Sequence, residues 1–71
     1  MLQQSMTTVE TELEMVRRHV LEGERHVSRQ LAIISSMKTR NERTGLAGDL
    51  LFSFYISLRA HKAHLEQLTS N

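Results

Sequence analysis

The sequence predicts an all-α fold: a two-helix antiparallel hairpin, with helices at about residues 7–39 and 44–69, that dimerises into a four-helix bundle. Three observations lead there. The chain has no proline, and Leu, Glu, Arg and Gln, residues that cost little in a helix, recur throughout. Two long stretches carry apolar residues at alternating steps of four and three, the seam of a helix packed along another helix. One short polar break, Thr39 to Arg43, separates them, and so short a connection makes the helices antiparallel neighbours. With 71 residues the chain is a single domain, residues 1–71.

Residues Met1 to Met6 read as a frayed end. Thr7 and Glu10 have the spacing of a capping box, so the first helix is expected to start there. Its seam is Val9, Leu13, Val16, Val20, Val27, Ile34 and Met37, with two slots that are not apolar, Gly23 and Gln30. Asn41 tolerates the left-handed conformation that ends a helix. Lys38 and Arg40 suit the negative end of the helix dipole. Thr44 is the expected N-cap of the second helix, with Asp49 favourable near its first turn and Gly45 and Gly48 weakening that start. The second seam is Ala47, Leu51, Phe54, Leu58, His61, Leu65 and Leu68.

A chain below ~70–80 residues rarely builds a sufficient core without a staple. The sequence has no cysteine, so disulfides, thiolate metal sites and a cysteine nucleophile are excluded. What remains is a partner chain or a histidine and carboxylate metal site. The run LLFSFYISL is apolar nearly all round, as in helices buried on more than one side. Phe52 and Ile56 lie behind the second seam, and Leu21 and Met15 lie off the first. Leu21, Phe52 and Ile56 are therefore the expected oligomer interface, with the second helix central near the loop end.

The net charge of +1 provides no long-range field for nucleic acid or an anionic membrane. Arg17, Arg18, Arg25 and Arg29 form a partial stripe, but Glu14, Glu22 and Glu24 interleave with it. The three aromatics, Phe52, Phe54 and Tyr55, read as packing rather than a stacking platform. No nucleic acid and no membrane is expected as a partner. No phosphate loop or nucleophile elbow occurs, so no enzymatic activity is expected. Without a signal pattern or a spanning stretch, the expected location is the cytoplasm.

Folding the chain back near Asn41 pairs residues whose numbers sum to about 81–85, an uncertainty of one helical turn. This sets Ile33 beside Leu50, Leu31 beside Tyr55, Glu24 near Lys62, His19 beside His64, and Gly23 opposite the region of His61. A glycine costs ~0.5–1 kcal/mol relative to Ala inside a helix. Gly23 either makes room, for the His61 imidazole or for a close helix approach, or is a tolerated weak spot.

The four histidines are the one chemical constellation. His61 and His64, three apart, share a helix face and can reach one ion. His19 is the third candidate ligand, with His26 or Glu22 less well placed as a fourth. Glu-x-x-His pairs are missing, which disfavours a di-iron centre. A mononuclear zinc site built on His19, His61 and His64, or haem between histidines, stays open. The plainer reading, which is preferred, needs no cofactor: His61 is a hydrogen-bonded core histidine and the others are solvated. Clustered imidazoles would also repel once protonated, near pH ~6, which makes a pH-sensitive interface a further reading.

The segments RRHVLEGERHVSRQ, TGLAGDLLFSF and RAHKAHLEQL resemble a group of short, uncharacterised bacterial proteins. That group shares an R-H-V-x-E-G-E-x-H-V-x-R-Q-like first helix and an H-x-x-H-L ending. The resemblance spans Arg17 to Leu68, through His19, Gly23, Glu24, His26, Gln30, His61 and His64. It implies an architecture and no activity. The expected function is a non-enzymatic helical interaction module that binds a second copy of itself, or another protein. The alternative is a metal-binding, ligand-binding or pH-sensing bundle using the histidines.

Overall fold

The computed structural model describes residues 10–70. It consists of two helices, α1 over Glu12–Thr39 and α2 over Gly45–Thr69, packed against each other as an antiparallel hairpin. There is no strand among the described residues. No helix there is long and apolar enough to cross a membrane.

The start of α1 differs from expectation. Thr7 lies outside the described residues, and Glu10 and Thr11 precede the helix. The capping box is built one step later. Thr11 Oγ1 accepts the Glu14 N–H at 3.1 Å, and Glu14 Oε1 accepts the Thr11 N–H at 2.9 Å. Near this end the sequence offers the Thr-x-x-Glu pattern twice, at Thr7 and at Thr11, and the second run places Glu12 and Glu14 in the first turn, where the helix dipole favours them. Glu10 is left to accept both nitrogens of Arg18, at 2.9 and 2.8 Å.

The turn is ended as Asn41 suggests. Asn41 sits at φ 58°, in the left-handed region. Its N–H donates to Lys38 O at 3.0 Å, and the Glu42 N–H donates to Met37 O at 2.9 Å. These two bonds form a Schellman motif, which satisfies carbonyls that the helix end leaves orphaned. Thr44 is the N-cap residue of α2 by position, but its side chain makes no capping bond. No acidic residue lies in the first turn, because Asp49 falls beyond it.

The two seams meet as their periodicity requires. Val16, Val27 and Leu58 are buried, and Leu13, Val20, Ile34, Met37, Leu51, Phe54 and Leu65 are half-buried along the same line. Leu68 is exposed at the open end. The polar seam slot has its own logic: buried Gln30 donates through Nε2 to Ala47 O at 2.9 Å. A buried amide must find a partner, and this one finds it across the hairpin, which fixes one helix against the other.

The glycine slot is a close approach. A Cβ placed on Gly23 would lie 3.0 Å from Leu58 Cδ1 and 3.5 Å from Leu58 Cβ. Leu58 stands nearest Gly23, and His61 lines a groove beside it. The cause is register. The pairs His19–His61, His26–Phe54 and Gly23–Leu58 sum to 80 or 81, at or just below the lower edge of the expected range. His64 therefore does not stand beside His19. Glu24 and Lys62 do pair, at 3.7 Å, and Leu31 and Tyr55 share their register two turns nearer the loop.

Candidate functional site: two grooves on opposite sides of the hairpin

Helical spacing divides the surface beside the seam into two sides. On one side, steps of three and four along α1 bring up Met15, His19, Glu22 and His26. Along α2 they bring up Phe54, Ser57, His61 and His64. Ring contacts between the helices tie these stripes together: His19 to His61 at 4.7 Å between centroids, tilted by 50°, and His26 to Phe54 at 5.3 Å. All four histidines thus lie on one side.

Between them runs a groove of about 100 Å3, lined by His19, Glu22, Gly23, His26, Ser57 and His61. The bare backbone of Gly23 forms part of its wall. His61 is half-buried and packs on the His19 ring; it is not a fully buried core histidine. His64 points elsewhere, with Nε2 2.9 Å from Glu12 Oε2. Of the expected ligands, the fold brings His19 and His61 together and engages His64 with a carboxylate near the start of α1. Among the described residues no group of three His, Asp or Glu side chains is arranged to hold one metal ion. Ser57 was not singled out from the sequence, because a lone serine on a helix face carries no pattern.

Near the same end of α1, Arg18 bridges two carboxylates, Glu10 at 2.8 Å and Glu22 at 3.3 Å. The hydrogen bonds from Arg18, with its positive charge, hold the Glu10 carboxyl below its ordinary range. The same bonds to Glu10 and Glu22 raise the Arg18 guanidinium above its own.

The other side carries Arg17, Leu21, Glu24 and Leu31 on α1, and Gly48, Phe52, Tyr55, Arg59 and Lys62 on α2. The Glu24–Lys62 pair ties these stripes. Here a groove of about 450 Å3 is lined by Phe52, Tyr55, Ile56, Leu58, Arg59 and Lys62. Phe52 is 66% exposed, Ile56 54% and Leu21 55%. The three side chains expected at an oligomer contact therefore lie open, two of them in this groove. Leu21 stands nearer the open end of the hairpin, on the same side. Tyr55 and Arg59 extend the stripe at steps of three and four from Phe52, a signal masked in the sequence by the arginine within it.

Compared with protein-family models, with curated proteins and with solved structures, the chain finds no match.

Proposed function

We propose that this chain is a non-enzymatic, self-associating interaction module, a dimer of hairpins that closes into a four-helix bundle through the side bearing Phe52, Ile56 and Leu21. The observation that carries this reading is the mismatch between what the hairpin buries and what it exposes. Among the described residues Val16, Val27 and Leu58 are its buried apolar side chains, while Phe52, Tyr55, Ile56 and Leu21 are among nine large apolar residues left open there. Full burial of one such side chain is worth about 1.5–3 kcal/mol, so a second hairpin over this side adds apolar burial that the lone hairpin lacks. A chain with no disulfide gains its missing staple in this way.

Native mass spectrometry of the untagged protein tests the reading, with two chains as the expected mass. Replacing Phe52→Gln and Ile56→Gln together reduces the mass to one chain. The far-ultraviolet signal at low temperature stays helical, because the seam is untouched. An unchanged dimer mass in the double variant would remove Phe52 and Ile56 from the contact.

The histidine side supports a second reading, a small-ligand or metal-binding bundle. Its supporting observation is the groove where His19, His26 and His61 converge beside the bare Gly23. The same mass spectra separate the two. A stoichiometric bound mass, zinc being the first to try, that disappears in His61→Ala favours this second reading; a dimer without added mass favours the first.

A further inference from the structure

We propose that in the dimer the two α2 helices lie against each other antiparallel, centred between Tyr55 and Ile56, with each Phe52 ring covered by Arg59 of the partner subunit. The inference rests on the self-association reading above and specifies its geometry.

Four features point to a second copy in this orientation. The outer stripe of α2 runs Gly45, Gly48, Phe52, Tyr55, Arg59 and Ala63 at steps of three and four, so it is itself a seam, unused within the hairpin. Its small residues, Gly48 and Ala63, stand equally far from the centre on either side. So do Phe52 and Arg59. A two-fold axis at the centre therefore sets Gly48 against the partner's Ala63, where helices approach closely, and Phe52 against the partner's Arg59.

Charge selects the direction. Arg59 lines the apolar groove, and among the described residues it forms no ion pair. A parallel pair would stack it on the same guanidinium of the second copy, two like charges in a closing apolar contact. The antiparallel pair gives it an aromatic face instead, a favourable place for a guanidinium. The antiparallel pair also brings Glu66 of the partner subunit to the level of Gly45. That is the helix start with neither a side-chain cap nor an acidic residue in its first turn, and a carboxylate there complements the helix dipole.

Because the chain has no cysteine, introduced thiols report the arrangement cleanly. Gly48 has open space where a Cβ would go, and Ala63 is exposed, so Gly48→Cys and Ala63→Cys should both leave the hairpin intact, which circular dichroism checks. The two variants are purified separately, mixed, allowed to exchange subunits, and treated with a short bis-maleimide or oxidised. Covalent dimer is expected in the mixture and not in either variant alone. Identical positions lie about 22 Å apart along antiparallel helices, beyond the reach of such a link. Covalent dimer from Gly48→Cys alone would mean parallel helices and overturn the proposal. A dimer by native mass spectrometry that cross-links in no combination would overturn this arrangement and leave self-association standing. A monomeric mass for the unmodified protein would overturn self-association, and this geometry with it.

Discussion

At Gly23, a single missing methyl group sets how closely the helices approach. The Leu58 side chain reaches to 3.0 Å from the point a Cβ would occupy, and the position also opens the wall of the histidine groove. Two effects oppose each other in a substitution here. Any larger residue gains helix propensity, worth ~0.5–1 kcal/mol over glycine. Even a methyl group presses on Leu58, which is buried, a larger side chain must displace it, and overpacking a seam costs typically about 1–3 kcal/mol. For Gly23→Leu the second effect wins. The expected result is a thermal midpoint lowered by several degrees, since each kcal/mol moves a chain of this size by roughly 4–8 °C. A midpoint at or above that of the parent chain would show that the helices are free to separate here, and Gly23 would then be no more than a weak spot in α1. The identity of the facing residue was the illegible part. The stepping pattern marked Gly23 as a seam slot, but which residue lay across depended on a register known only to one turn. Gln30 supplies what was missing, through its bond to Ala47 O, and no pattern in the sequence announces such a bond.

The helices themselves were largely legible, because their boundaries are written in side chains that act locally. Asn41 carries the left-handed turn, and Lys38 lies in the last turn of α1. The ambiguity at the start of α1 had a physical cause. Two consecutive Thr-x-x-Glu runs compete for the role of capping box, and local rules rank them equally. The outcome makes Thr11 the residue on which the start of α1 depends. Thr11→Ala removes the acceptor for the Glu14 N–H and leaves only the reciprocal bond, from the backbone N–H of residue 11 to the Glu14 carboxylate. The expected cost is about 0.5–2 kcal/mol of stability. Circular dichroism at fixed protein concentration measures it, and no loss would mean that the start of α1 does not depend on this box. The contrast with α2 is instructive. Thr44 occupies the N-cap position without capping, and no acid supports the first turn, so α2 depends on packing where α1 depends on its own caps.

At the scale of the whole molecule, the hairpin is one seam with two unlike sides. The four histidines share one side and the open apolar groove lies on the other, a division the sequence hints at through Phe52 and Ile56 but does not resolve. Tyr55, Arg59 and Lys62 join the groove at helical steps along α2 from Phe52. If the apolar side is closed by a second copy, association is linked to folding, and stability must depend on concentration by mass action. The thermal midpoint of the parent chain is then expected to fall on each tenfold dilution. In the variant carrying Phe52→Gln and Ile56→Gln it is expected to be lower and the same at every concentration. Calorimetry or circular dichroism over a hundredfold range reads both. A midpoint independent of concentration in the parent chain would mean that the thin seam of Val16, Val27 and Leu58 suffices alone. The groove around Phe52 would then be a surface open to some other protein rather than the inner face of a bundle.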